Sequence, residues 1–327
     1  MAVYTKVSEE ALAEFISFYD IGPVSTCKGI AEGIENTNYK ITTDTGQYIL
    51  TLYEKRVDKQ QLPFFLGLMD HLSGQEIPCP VPLHAQDGTL SRQLCDRPAA
   101  LFSFLPGIWP RIISDHHCHE LGGWLARLHL AGRDFGKSRD NDLSLASWRP
   151  LLMTCDSDAT NDISSGLYDE LLRELDYLEQ HWPAQTELPK GIIHADLFPD
   201  NVFFEGSHIS GMIDFYFACT DAFAYDIAIC LNAWCFDSEN RFVQSRAENL
   251  LKGYCLLREL SPDELNVLPL LARGSAIRFL LTRLYDWVNT PQDALVVRKD
   301  PTELLIKLKF HQQVNDYRDY GLEHSLS

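Results

Sequence analysis

The sequence is short of basic residues: 28 Lys and Arg stand against 46 Asp and Glu, a formal charge of −18. That balance excludes a general binder of nucleic acid or anionic membranes, which needs a basic surface to neutralise phosphates. It leaves room for a small phosphate site, because one loop and one cation outweigh the global field locally. No run approaches the ~20 uninterrupted apolar residues of a membrane span. No basic stretch precedes an apolar core in Met1–Phe15, so no signal peptide is expected. The nine cysteines are scattered, odd in number and without a CxxC pair, which excludes a zinc ribbon or a disulfide framework. Reduced thiols in the cytoplasm are the expectation. Internal repeats and low-complexity tracts are also missing. What remains is a 327-residue chain with 45% apolar and 23% charged residues. That is ordinary globular material, long enough for about two domains on a prior of ~150 residues each.

The order along the chain sharpens this. Ser8–Asp20 reads as an opening helix, with Ser8 as cap, Glu9 and Glu10 at its positive end, and Gly22-Pro23 as the stop. Asn38–Thr43 and Gln47–Glu54 are β-rich and joined by Asp44-Thr45-Gly46, a hairpin pattern. A helix is expected over 58–73, an extended proline connector over Ile77–Pro82, and a second hairpin turned at Asp87-Gly88 and leading into Arg97–Phe104. Beyond Ile113 the period is helical over 113–131, 164–181, 221–236, 239–258, 262–288 and 302–314. A small β stretch at 191–213 interrupts it. The expected fold is therefore α+β and two-lobed. Residues 1–103 form a small lobe with an antiparallel sheet, and 104–327 form a larger, mainly helical lobe, with the composition shift at Phe102–Gly107 as hinge.

The informative run lies in that β stretch. His194, Asp196 and Asn201 have the spacing H-x-D-x-x-x-x-N of a kinase catalytic loop, and Asp214 ends an apolar strand thirteen residues later. The chemistry explains the pattern. Phosphoryl transfer needs an aligned hydroxyl and cations on the β/γ oxygens. Asp196 takes the hydroxyl proton. Asn201 and Asp214 offer the hard oxygen atoms that Mg²⁺ prefers, and the hairpin between them returns the chain toward one ion. His194 reads as a brace of the loop and not as a proton carrier. Asp and Asn are also ordinary turn residues, but the flanking apolar strands and the Ile213-Asp214 pair supply the context such a motif requires.

His194-Ala-Asp196-Leu-Phe-Pro-Asp200-Asn201 and Ile213-Asp214-Phe-Tyr resemble the aminoglycoside-phosphotransferase branch of the protein-kinase-like fold. Further tags are Glu32-Gly33-Ile-Glu-Asn36-Thr-Asn38-Tyr39, Tyr48–Glu54, Leu62–Leu66, Leu125–Phe135 and Ala276–Trp287. With these the resemblance extends nearly end to end to the bacterial homoserine kinase family of this fold. It implies phosphorylation of the L-homoserine hydroxyl by ATP with Mg²⁺, on the route to threonine. Asp196 is then the base, and Asn201 and Asp214 the magnesium ligands. Gly29 to Gly33 with Asn36 form the loop over the phosphates, and Phe102–Phe104 meet the adenine. Asp226 matches the family's helix-start Asp and reads as a structural brace. Other acceptors (an aminoglycoside, choline or a sugar amine) and a nucleotide-binding pseudokinase regulator are the alternatives.

The sequence departs from a kinase at one place. The strand position that normally carries the phosphate-pairing Lys is Thr51, and 58–73 has no Glu to hold such a Lys. Lys40 on the neighbouring strand is the preferred replacement over Lys55 or Arg56 at the strand end; Lys55 starts ~13 Å away at the strand rise of about 3.3 Å per residue. Arg278 and Arg283, in the tag 276–287, are the candidates for a substrate carboxylate, which a guanidinium binds bidentately. His116, His117, Cys118 and His119 read as a helix-start cluster and not a metal site, and His129 as a satisfied, partly buried histidine. The sequence carries no signal of oligomeric state.

Overall fold

A computed structural model describes residues 4–30, 36–54, 58–183, 188–290 and 299–321. Its contacts divide the chain into two compact units: residues 1–107 with 210–216, and residues 108–209 with 217–327.

The first unit is built on a five-stranded antiparallel sheet in the order β1-β2-β3-β5-β4. Its elements are α1 (Glu9–Ile16), β1 (Val24–Gly29), β2 (Thr37–Thr43), β3 (Gln47–Leu52), α2 (Leu62–Gly74), β4 (Arg92–Leu94) and β5 (Arg97–Ser103). Ser8 caps α1 by accepting from the Ala11 amide, as its position before Glu9 and Glu10 predicts. Alternation along β2 and β3 sorts the sheet into two faces. Tyr39, Ile41, Leu50, Leu52, Ala99 and Leu101 pack with Leu12, Phe15 and Ile16 of α1. Asn38, Lys40, Ile49, Thr51 and Phe102 occupy the other face.

One expected turn is displaced. Asp87-Gly88 does turn, with Gly88 at φ +82°, but the hairpin of β4 and β5 closes at Cys95-Asp96, both in the left-handed region. Asp tolerates that conformation through its short polar side chain. Cys95 carries no comparable sequence signal.

The second unit holds α3 (Asp115–Ala131), α4 (Leu145–Met153), α5 (Ser157–Ile163), α6 (Leu167–His181), β6 (Lys190–Ile193), β7 (Val202–Glu205) and the start of β8 (His208–Met212). It continues with β9 (Cys219–Ala222), α7 (Phe223–Trp234), α8 (Gln244–Cys255), α9 (Pro262–Asn289) and α10 (Thr302–His311). The short helices α4 and α5 carry too few residues for a periodic signal. The helix expected over 221–236 begins only at Phe223, because Cys219–Ala222 pairs antiparallel with β6. Helices α3 and α8 cross at glycines: a Cβ on Gly122 would sit 1.9 Å from the Leu250 carbonyl oxygen, and one on Gly253 2.0 Å from that of His119. By length and composition alone α9 could cross a membrane, but 72% of its most apolar window is buried in the protein. Leu268, Ile277, Leu280, Leu281 and Leu284 make it a core helix.

Candidate active site

Strand β6 delivers His194 into a loop whose polar backbone groups are tied down one by one. The Asp226 carboxylate, on the first turn of the fully buried α7, accepts from the amides of His194 (2.8 Å) and Ala195 (2.9 Å). This double acceptor holds Ala195 at φ +62°, a conformation costing a non-glycine residue of order 1–3 kcal/mol. On the opposite side, Arg278 Nη1 donates to the Ala195 carbonyl (2.7 Å), Asn201 Nδ2 to that of Asp196 (2.8 Å), and Trp234 Nε1 to that of Leu197 (2.8 Å). His194 is fully buried, and its Nδ1 accepts from the Asp196 amide at 3.3 Å.

Asp226 is itself supported. His129 Nε2 lies 3.1 Å from its Oδ2, His129 Nδ1 lies 2.7 Å from the Tyr254 hydroxyl, and Arg258 donates to that hydroxyl at 3.2 Å. Arg258 pairs with Glu264 at 2.8 Å. Donors and acceptors alternate consistently when His129 is neutral: Tyr254 donates to Nδ1, and Nε2–H donates to Asp226. Burial pushes the His129 pKa down, against the pull of Asp226. Burial alone would raise Asp226; the hydrogen bonds from His129 and the His194 amide outweigh it and hold the carboxyl below its usual range.

The outcome is a partly exposed Asp196 carboxylate in a fixed setting. Its Oδ2 lies 3.3 Å from Asn201 Nδ2, and its Oδ1 3.9 Å from Arg278 Nη1. Asn201, in the turn after Pro199, spends its amide nitrogen on Asp196. Among the described residues nothing donates to its Oδ1, which leaves that oxygen for a cation. Asp214 belongs to the segment that groups with the first unit and sits at φ +67°. An amide oxygen and a carboxylate, with nucleotide oxygens, fit a hard divalent ion. Among the described residues no group of three or more His, Cys, Asp or Glu side chains could hold a metal. His117 instead completes a capping box with Ser114 at the start of α3.

Arg278 is buried, with its guanidinium 3.9 Å from the Phe279 ring centroid. Its Nε and Nη2 find no partner among the described residues. Arg283 is engaged by Glu303 (2.6 Å) and the Asp300 carbonyl. The sequence reading missed Trp234, Tyr254 and Arg258; the partners of Trp234 and Tyr254, Leu197 and His129, are remote in the chain, and Arg258 reaches the loop only by way of Tyr254.

In the first unit, buried Thr51 donates to Asn38 Oδ1 at 2.7 Å. Lys40 Nζ sits 4.0 Å from the Phe104 ring centroid. Phe102 is buried, and Phe104 is partly exposed beyond the end of β5. Gly29 ends β1, and buried Asn36 precedes β2. Gly33, Lys55 and Arg56 lie outside the described residues.

Residues 26–260 match the model of the phosphotransferase enzyme family. The homoserine kinase of Paramagnetospirillum magneticum is 57% identical over 99% of this chain and 100% of its own length. That of Rhodospirillum rubrum is 55% identical over 98% and 99%. Among solved structures, an amicoumacin kinase in complex with AMP-PNP, Ca²⁺ and Ami aligns with TM-score 0.73 at 18% identity, covering 95% of this chain and 96% of that one. A microcompartment-associated aminopropanol kinase aligns with TM-score 0.69 at 17% identity, covering 97% and 99%. These two likenesses establish the fold, an antiparallel-sheet N-terminal part followed by a helical C-terminal part. With the catalytic-loop spacing, the double clamp on its backbone and a family match over residues 26–260, the chain belongs to the phosphotransferase enzyme family.

Proposed function

We propose that this protein is an ATP-dependent homoserine kinase, transferring the γ-phosphate of ATP to the hydroxyl of L-homoserine to give O-phospho-L-homoserine for threonine synthesis. The observation that carries the reading is identity above 50%, over essentially the whole chain, to relatives named homoserine kinase. The first unit is the nucleotide side, with Gly29, Asn36, Lys40, Phe102 and Phe104 toward the nucleotide. The second unit is the catalytic and acceptor side.

Asp196 accepts the proton of the homoserine hydroxyl as the oxygen attacks; Asn201 and the loop clamp orient it. His194 braces the loop. Asn201 and Asp214 are the residues that would hold Mg²⁺, which when bound neutralises charge on the transferring phosphate. Of the two guanidinium candidates, Arg278 suits the homoserine carboxylate better. It stands beside Asp196 with donors to spare, whereas Arg283 is already paired. The nine cysteines are free thiols, which supports a reducing, cytoplasmic setting.

The test is ADP release by the full-length protein with Mg-ATP and, separately, L-homoserine, choline and kanamycin, with the product identified by phosphorus NMR. Turnover confined to homoserine is the expected result. Turnover with another acceptor alone, or ATP binding without any transfer, would overturn the reading.

A further inference from the structure

The strand cation that a kinase places on its phosphates has no counterpart at Thr51, where a short hydroxyl bonds Asn38. The sheet register shows where positive charge sits instead. Lys28 of β1 is directly opposite Lys40 of β2, and Lys40 is directly opposite Ile49 of β3. Directly opposed residues of antiparallel strands project to the same face. Lys28 and Lys40 therefore share the face of Asn38 and Thr51, away from the α1-packed core.

Like charges directly opposite on a sheet repel. Among the described residues neither ammonium has a carboxylate within ion-pair distance. The described contact of Lys40 is the Phe104 ring, which orients the ammonium without neutralising it. A pair of directly opposed cations with no carboxylate partner among the described residues is an arrangement a polyanion would relieve.

We infer that Lys28 and Lys40 together are the phosphate-binding cations of the nucleotide site, taking over the role of the missing strand lysine. The inference rests on the kinase reading above and adds to it the residues that recognise the triphosphate. Because the contact is between charges, it acts on the phosphates and not on the adenosine moiety.

Calorimetric titration of the full-length protein with Mg-ATP and with adenosine tests this without relying on turnover. The proteins compared are the wild type, Lys28→Met, Lys40→Met, the double Met variant and the double Arg variant. Methionine keeps an unbranched side chain of similar length and removes the charge. Each single Met change is expected to weaken Mg-ATP about tenfold, the size of one charge-assisted contact. The double Met change should weaken it roughly a hundredfold on the same scale. The double Arg variant should keep most of the affinity, and the Kd for adenosine should stay unchanged throughout. The inference is overturned if the double Met variant binds Mg-ATP like the wild type, or if Arg and Met variants lose affinity alike. Wild-type protein that transfers phosphate while the double Met variant keeps its Mg-ATP affinity refutes the lysine pair alone. Wild-type protein that transfers none refutes the kinase reading itself.

Discussion

The catalytic loop 194–201 and the open face of the first unit's sheet handle polar groups in opposite ways. In the loop, two amides, two carbonyls and the Asp226 carboxylate find partners contributed by α3, α7 and α9, and the Asp196 carbonyl finds Asn201 of the loop itself. On the sheet face, Lys28 and Lys40 confront each other with no carboxylate partner among the described residues. A loop that must hold one carboxylate in register gains from being over-determined, since small displacements of a base cost large factors in rate. On the proposed reading, a face that receives a charged, exchangeable ligand gains from cations that no carboxylate engages among the described residues. The difference predicts that loop variants lose stability or turnover, while face variants lose nucleotide affinity at little structural cost.

The largest effect should come from Asp196→Asn, which lowers kcat by about 10²–10⁴-fold while sparing Mg-ATP affinity. Steady-state ADP release alongside calorimetry checks both halves, and unimpaired turnover would remove Asp196 from the mechanism. Asp226→Ala strips two amides and His129 of their acceptor and should cost about 3–5 kcal/mol of unfolding free energy in urea. A variant as stable as the wild type would mean the clamp is dispensable. Arg278→Met leaves the Ala195 carbonyl unpaired, for about 1–3 kcal/mol. It should also raise the KM for homoserine more than that for ATP; the reverse ratio would contradict a carboxylate contact.

The same comparison has a pH signature. His311, between the Tyr320 hydroxyl and Asn232 Oδ1, is driven by burial down to about 3, and burial lowers His129 as well. Their unfolded values lie near 6.5, so the unfolded chain binds more protons as pH falls. Stability is then full above about pH 6.5 and declines toward pH 3. Urea midpoints across that range should fall with acidity, and His311→Gln should flatten the slope. The smallest effect belongs to the sheet face. Lys28→Met should stabilise the nucleotide-free protein by roughly 0.2–1 kcal/mol, because it relieves the cross-strand repulsion. A loss of stability there would show that Lys28 has a structural partner.

Much of this was legible where the chemistry is local. Ser8 before two acids, Asp44-Thr45-Gly46 between β-branched runs, and His194, Asp196 and Asn201 at kinase spacing each act over a few residues. Illegible were β9, which is a strand because β6 pairs with it, and the Cys95-Asp96 turn, held by the strands it joins. Arg278 stood out in the sequence as a candidate guanidinium, but its bond to the Ala195 carbonyl was not legible.

Residue order by itself determined the antiparallel hairpins, the helix starts and the set of oxygen-bearing side chains offered for phosphoryl transfer, because propensity, capping and motif spacing are properties of neighbours. Tertiary structure alone decided that Asp226, backed by His129, Tyr254 and Arg258, grips the loop with its own carboxylate, and that Lys28 lies opposite Lys40 on the face of uncharged Thr51. Apart from Tyr254 and Arg258, which are four residues apart, those pairings join residues 12 to 125 positions apart in the chain, and only folding brings such groups within hydrogen-bonding or Coulombic range.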